Sequence, residues 1–168
     1  ITEGPTSWEI EDVRGNLGNE HNLDWNKSVA IYLTERGSTG YSVYQDSLST
    51  VALGNFSDKI NITHLYPEIG GTGKIYGLIK KMKAAWQADG STVAVYAASS
   101  SGPAQYSIVT RYKQGLKERA QGFRKPFRET YESIHGVGSW EDYLDTLREY
   151  ANDGWSELLF LRADLSSK

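Results

Sequence analysis

Several residue types and patterns are rare or missing in this chain. It has no cysteine, one methionine and four prolines in 168 residues. Without cysteine there are no disulfides, thiol nucleophiles or thiolate metal ligands, but the compartment stays open between cytoplasm and export. No long apolar run is present, so we expect no membrane span. Because the chain opens at Ile1 rather than at methionine, we expect a processed or trimmed product.

Long runs of residues with the same charge are also missing. The chain has 18 basic against 21 acidic residues, a net charge of -3, and neither sign gathers into a long run. A basic patch of the kind that binds nucleic acid or anionic lipid is therefore not expected. The nearest group, Lys80, Lys81 and Lys83, falls on the polar side of a predicted helix, which is typical of a solvated face.

Aromatic residues, in contrast, are abundant. They make up 12% of the chain, with 5 Trp and 11 Tyr, and apolar residues make up 39%. That content is enough for the packed core of one ordinary domain. Abundant tyrosine and tryptophan favour either extensive strand surface or a lined cavity.

The region from residue 60 to residue 87 predicts a strand followed by a helix. Residues 60–66 alternate, with His64 and Tyr66 on one face, before Pro67 ends the run. Residues 74–87 carry apolar side chains at three- and four-residue spacing, with Thr72 as the predicted cap and Gly90 as the predicted stop.

The remaining pattern predicts two strands, a broken helical region and a final strand. Residues 92–97 and 105–112 read as adjacent antiparallel strands. A helical region follows; it is interrupted by Gly136 and Gly138, and it resumes at Ser139 with a predicted capping box. Gly154 is the predicted end of that helix, and residues 155–162 form a strand that is apolar on both faces.

This order of elements resembles the ferredoxin-like fold, and more narrowly the dimeric α/β-barrel superfamily, over about the C-terminal two thirds of the chain. The resemblance implies an α+β fold of type βαββαβ, with an antiparallel sheet and helices on one face. It also implies a dimeric or pseudo-dimeric barrel in which two such sheets enclose a cavity. Members include antibiotic-biosynthesis monooxygenases and NIPSNAP-like proteins, which favours a bacterial source.

The first 55 residues are predicted to form an extension to a domain at residues 56–168. A weak helix and a hairpin of residues 28–34 and 41–48 are the local predictions. Ser7-Trp8-Glu9 before Trp25 resembles Ser139-Trp140-Glu141 before Trp155, so the extension is either unrelated or a remnant of a first repeat.

No motif commits the chain to one reaction. The segment from Gly70 to Lys74 resembles a phosphate loop, but Glu68 and Ile75 stand where that motif needs glycine and a hydroxyl residue. It is predicted to be a turn. The three histidines lack the spacing of metal ligands, so we expect no metal and no cofactor.

The candidate ligand site is therefore built from residues of the predicted strands. His64 is the best catalytic candidate because an imidazole can act as a base or anchor a ligand; the alternative is a half-buried histidine bonded to a neighbour. Aromatic residues and one arginine complete the set, although the aromatic residues would also suit a dry dimer interface. The candidate residues are His64, Tyr66, Tyr96, Tyr106, Arg111 and Tyr112.

Two functions remain open, and whether the protein is an enzyme is not decided by its sequence. The first is a homodimer that binds a small apolar or aromatic molecule in a barrel cavity. The second is a cofactor-independent monooxygenase-like enzyme that acts on a flat apolar substrate. The second loses its best residue if His64 lies on the helix-packed face of the sheet.

Overall fold

The computed structural model describes five residues in the first part of the chain and most of the chain from residue 42 onward. The chain divides into two compact units, Ile1–Val43 with Ala98–Gly102, and Tyr44–Ala97 with Pro103–Lys168. The described residues are Glu20, Leu23, Asp24, Lys27 and Ser28, then 42–52, 54, 57–98, 102–162 and 164.

The first unit is described only in part. Its five residues between Glu20 and Ser28 are helical and exposed, and the Ser28 hydroxyl donates a hydrogen bond of 3.1 Å to Asp24. Ser28 was predicted to begin a strand, and it is helical instead. The rest of that predicted strand and the segment Ser7-Trp8-Glu9 lie outside the described residues, so the repeat and the domain boundary at residue 55 stay predictions.

The described elements alternate between strands and helices. Short 3-10 turns at Asp46–Leu48 and Gly115–Arg119 join some of them. In chain order the elements are β1 (Ser42–Tyr44), β2 (Lys59–Pro67), α1 (Thr72–Asp89), β3 (Val93–Ala98), β4 (Tyr106–Arg111), α2 (Phe127–His135), α3 (Ser139–Tyr150) and β5 (Ala151–Phe160).

The five strands form one open sheet in the order β1-β3-β4-β2-β5. The pairs β3 with β4, β4 with β2, and β2 with β5 are all antiparallel. In this register Thr63 on β2 lies opposite Ile108 on one side and Ser156 on the other. The predicted α+β class and the antiparallel pairing of residues 92–97 with 105–112 are confirmed. The order departs from a strict βαββαβ pattern because β1 precedes it and two helices precede β5.

The helices pack on one face of the sheet. Ile75, Ile79 and Trp86 of α1 form one core cluster together with strand residues such as Val95 and Ile108. Their spacings of four and seven residues place them on one side of the helix, which explains why this segment is helical and amphipathic. The opposite sheet face carries a second cluster of buried residues, Ile62, Ala94, Tyr96 and Val109. Both faces of the central strands are therefore apolar.

One predicted helix end and two predicted caps differ from the structure. Gly138, with a φ of 87°, occupies the N-cap of α3, so Ser139 is the first helical residue and makes no capping bond. The predicted capping box is therefore wrong. Helix α3 ends at Tyr150 rather than at Gly154, which instead lies inside β5 opposite Leu65. Gly90 ends α1 in the left-handed conformation as predicted, but Thr72 makes no side-chain cap.

The turn between β2 and α1 is tightly packed. A Cβ atom at Gly71 would lie 3.0 Å from the carbonyl oxygen of Tyr150, so only glycine fits there without a shift. The Lys74 ammonium lies 5.6 Å from the centre of the Tyr150 ring, within range of a cation–π interaction. The segment that resembled a phosphate loop is thus held against the end of α3.

Candidate functional site

His64 lies on the sheet face opposite the helices. On β2, Leu65 packs with the helix-side core, whereas Ile62 belongs to the cluster on the other face. Since side chains alternate along a strand, His64 shares its face with Ile62. It lies opposite Ser107 on β4 and Trp155 on β5. His64 therefore does not lie on the helix-packed face of the sheet, where it would have been excluded as a catalytic candidate.

Three side chains fix the His64 ring. Nε2 lies 2.9 Å from a carboxylate oxygen of Glu157, and Nδ1 lies 2.6 Å from the amide nitrogen of Gln105. The ring also stacks on the Trp155 indole, with ring centres 4.2 Å apart and planes 21° from parallel. With the Gln105 amide donating to Nδ1, the imidazole proton sits on Nε2 and is donated to Glu157. Both ring nitrogens therefore have partners.

The bonded group extends to β4. The Gln105 amide nitrogen also donates to the hydroxyl of the buried Ser107, over 3.2 Å. We call Gln105, Ser107, His64, Trp155 and Glu157 the His64 cluster. His64 and Glu157 keep 14% and 34% of their side-chain surface exposed, so the cluster is accessible from solvent on one side. Such a partly buried polar group is the kind of feature from which binding sites are built.

A cleft of about 530 Å³ opens at the end of the sheet next to the His64 cluster. Tyr66, two positions after His64 on the same strand face, forms part of its wall, and Ala104 in the wall directly precedes Gln105. The volume falls within the range typical of small-molecule sites. The residues that line it are Tyr66, Pro67, Glu68, Ile69, Gly70, Thr72, Pro103, Ala104, Asn152 and Asp153.

The charge in this cleft has one sign. Glu68 and Asp153 contribute carboxylates, and no lysine or arginine is among the lining residues. An anionic ligand would meet repulsion there, whereas a neutral ligand would not. Ile69 is fully exposed in the wall of the cleft, so its whole side chain is available to an apolar ligand.

Of the six predicted site residues, Tyr66 lines the cleft, and His64 lies two positions before it on the same strand. Tyr96 and Arg111 also lie on the His64 face but are buried, and an Arg111 guanidinium nitrogen donates to the Tyr96 hydroxyl over 3.1 Å. Arg111 is thus tied to a neighbour in the interior and does not line the cleft.

The other two predicted residues lie elsewhere. Tyr106 belongs to the helix-side core, where its hydroxyl approaches the carbonyl oxygen of Thr72 at 3.4 Å. Tyr112 follows β4 and is buried, and its carbonyl oxygen accepts a hydrogen bond from Ser57. Burial raises the pKa of both tyrosine hydroxyls. Neither lies beside His64.

Glu157 and Gln105 were not predicted from the sequence. Glu157 is the only charged residue in the second half of β5 and directly precedes three apolar residues, and this is a signal that could have marked it. Its partner could not be found without the register of β5 on β2. Gln105 was treated only as the start of a strand, although it precedes β4 and points to His64.

In the part of the chain that the structure describes, no group of three or more histidine, aspartate and glutamate side chains is arranged to hold a metal ion. In the same residues, no helix combines the length and hydropathy needed to cross a bilayer.

Comparison with known proteins gives no assignment. The chain matches no protein-family model, no curated protein and no solved structure. Its function must therefore be argued from the geometry of the His64 cluster and the adjoining cleft.

Proposed function

We propose that this protein is a homodimer of ferredoxin-like domains that binds a small apolar or aromatic molecule in the cleft beside the His64 cluster. The observation that carries the proposal is the juxtaposition of a 530 Å³ cleft with a stacked and hydrogen-bonded histidine. A site of this kind combines apolar walls with a few oriented polar groups.

The strand pairing supports the ferredoxin-like part of the proposal. Without β1, the sheet order is β3-β4-β2-β5, with α1 connecting β2 to β3 and two helices connecting β4 to β5. This is the arrangement of a split βαβ sheet, to which β1 and the division of the second helix are additions. In a dimeric or pseudo-dimeric α/β barrel, the His64 face would be the face turned toward the cavity.

The walls of the cleft indicate the class of ligand. Tyr66, Pro67 and Ile69 supply apolar surface, and the two acidic residues disfavour an anion. Glu157 and Gln105 hold the imidazole in one orientation through its two ring nitrogens. A neutral flat molecule is the best match.

The test is a titration with N-phenyl-1-naphthylamine, a neutral aromatic probe whose fluorescence rises in apolar sites. We expect saturable binding to the wild-type protein. Ile69→Ser should weaken it about five-fold, since losing part of a buried isoleucine contact costs about 1 kcal/mol. Val137→Ser is the matched control because Val137 is also a fully exposed β-branched residue, located in another loop.

Each outcome has a consequence. If the wild-type protein does not bind the probe when the probe is in about 100-fold molar excess over the protein, the proposed binding of neutral aromatic ligands is refuted. Equal affinities for the Ile69→Ser and Val137→Ser variants would place any bound probe outside the cleft. Native mass spectrometry of the purified protein adds the mass of any retained ligand and the state of assembly.

The alternative function is a cofactor-independent monooxygenase-like enzyme. Proton abstraction by His64 would need a free ring nitrogen, and both nitrogens have partners in the structure, which supports binding over catalysis. Oxygen uptake with 1-naphthol tests this alternative: one O2 would convert the naphthol to naphthoquinone and water. Uptake that is lost in His64→Gln would favour the enzyme.

A further inference from the structure

Strand β5 forms the long edge of the sheet. It is ten residues long and pairs with β2 on one side, and no described strand lies on its other side. The Leu161 amide donates to the Asp58 carbonyl oxygen over 2.8 Å, so odd-numbered residues of this strand direct their main chain toward β2. By alternation, the N–H and C=O groups of Ser156, Leu158 and Phe160 point outward.

This edge is also apolar. Trp155, Leu159, Phe160 and Leu161 keep 48%, 41%, 52% and 60% of their surface exposed. Odd and even positions lie on opposite faces, so the exposed apolar surface wraps around the edge. Proteins protect sheet edges with lysine, proline or very short strands. β5 has neither lysine nor proline, whereas β1 at the opposite edge is only three residues long.

We propose that β5 pairs with β5 of a second copy of this chain, antiparallel and about a two-fold axis, so that the two sheets become continuous. The inference rests on the homodimer proposed above and specifies the strand that joins the two copies. It also places the second copy beside Trp155, which stacks on His64, so the assembly would shield the His64 cluster from one side.

A second copy fits this edge better than an unrelated partner does. A two-fold axis makes two identical strands antiparallel, which continues a sheet whose neighbouring strands β3, β4, β2 and β5 already pair antiparallel. The exposed apolar surface supplies part of the area that a stable dimer buries. The four exposed apolar side chains offer about 400 Å² per copy, roughly half of the 800 Å² per partner that a standard interface buries. The main chain of β5 and its neighbours can supply the rest.

Charge excludes one register of this pairing. Residues on the same face must meet across the axis, so an axis at Glu157 would bring two carboxylates together, which is unfavourable. An axis at Leu159 separates the two glutamates and places Leu159 opposite its own copy. In that register Leu158 of each copy lies opposite Phe160 of the other. We therefore place the axis at Leu159.

The first test compares two leucines of equal exposure. Leu159 and Leu116 are each 41% exposed, and Leu116 lies in the turn after β4. Sedimentation velocity of the full chain should give twice 18.7 kDa for the wild-type protein and for Leu116→Lys. Leu159→Lys should sediment as a single chain, because lysine at a sheet edge blocks pairing. A wild-type protein that stays monomeric at a concentration about 100-fold above a dimer dissociation constant of about 1 μM would overturn the proposal. A dimeric Leu159→Lys variant would also overturn it.

A second test does not depend on a disruptive substitution. Because the chain has no cysteine, a single introduced thiol reports proximity between copies without interference. Facing residues across an antiparallel pair have Cα atoms about 4.5–5.5 Å apart, which suits a disulfide. Under mild oxidation most of Leu159→Cys should become a disulfide-linked dimer, and Leu116→Cys should not. Equal cross-linking of the Leu159→Cys and Leu116→Cys variants would refute both the proposed register and the proposal that β5 is the pairing strand.

Failure of this inference and failure of the proposed ligand binding can be told apart. The N-phenyl-1-naphthylamine titration is repeated on Leu159→Lys. A monomeric wild-type protein that binds the probe overturns the β5 pairing and the homodimer, but it leaves the ligand-binding function standing. A dimer cross-linked through Leu159→Cys that binds no probe supports the pairing and overturns the binding function.

Discussion

Glu118 provides the sharpest test of the energetics of this fold. Its side chain is 4% exposed, and its carboxylate accepts hydrogen bonds from the Gln114 backbone N–H, at 2.6 Å, and from Arg124, at 2.5 Å. Arg124 also donates to the carbonyl oxygen of Asp89 at the end of α1, over 3.2 Å. One carboxylate thus holds the connection between β4 and α2 against α1.

The pKa of Glu118 gives the sign of its pH dependence. Burial alone would raise the pKa, but the hydrogen bonds from Gln114 and Arg124 and the nearby positive charges outweigh it and lower the pKa below the ordinary value of 4.5. The folded state therefore binds the proton less readily than the unfolded chain does. The resulting stabilisation is fully present above about pH 4.5 and is lost as the pH falls through the lowered value.

Glu118→Gln keeps the size of the side chain and removes its charge. Since hydrogen bonds to a charged group contribute about 1.5–3 kcal/mol, we expect a loss of about 2 kcal/mol of unfolding free energy at pH 7. That corresponds to a decrease in Tm of about 4–8 °C. Glu141→Gln is the control, because Glu141 is 59% exposed and lies 3.6 Å from Arg128, so its loss should stay below about 0.5 kcal/mol.

Urea denaturation followed by tryptophan fluorescence measures both variants. The difference between wild type and Glu118→Gln should shrink as the pH is lowered from 7 to 3, because the wild-type carboxylate becomes protonated. An equal difference at both pH values would refute the assignment of this stability to the charge. An effect of Glu141→Gln as large as that of Glu118→Gln would refute the argument from burial.

Three further substitutions test local packing. Gly71→Ala should lower the unfolding free energy by about 1–3 kcal/mol, because its Cβ would crowd the Tyr150 carbonyl oxygen. Gly73→Ala meets open space and should stabilise α1 by up to about 1 kcal/mol; the reverse ranking in urea denaturation would contradict the packing. Ser139→Ala should be neutral or stabilising by up to about 1 kcal/mol, since its buried hydroxyl has no hydrogen-bond partner among the described residues. A thermal melt that shows a larger loss would reveal an unrecognised partner.

Periodicity in the sequence was sufficient for most of the second unit. The strand predicted at residues 60–66 and the helix at 74–87 appear as β2 and α1, each slightly longer than predicted. The boundary between α3 and β5 was harder, because Gly154 is a common helix stop and yet lies within a strand. A Cβ at Gly154 would lie 3.4 Å from the His64 carbonyl oxygen, so the glycine permits close strand pairing instead.

The candidate site was harder to predict, because the alternation of side chains along one strand does not show which faces of neighbouring strands lie on the same side of the sheet. Alternation placed His64 and Tyr66 on one face of β2, but it did not show which face of β4 lies on the same side of the sheet. Tyr106 and Tyr96 were therefore grouped together, although they lie on opposite sides of the sheet. The contact of His64 with Glu157 depends on a register between segments 93 residues apart, which no local pattern contains.

The pairing of β2 with β5 also constrains the order of folding. The hydroxyls of Thr63 and Ser156 are 2.9 Å apart but are separated by 93 positions in the chain. Closing such a long loop costs entropy before any contact compensates for it, so this pairing should form slowly and late. Until it forms, β2 is itself the edge of the sheet, and the His64 ring lacks both Glu157 and Trp155. We therefore expect the His64 cluster to be completed late in folding.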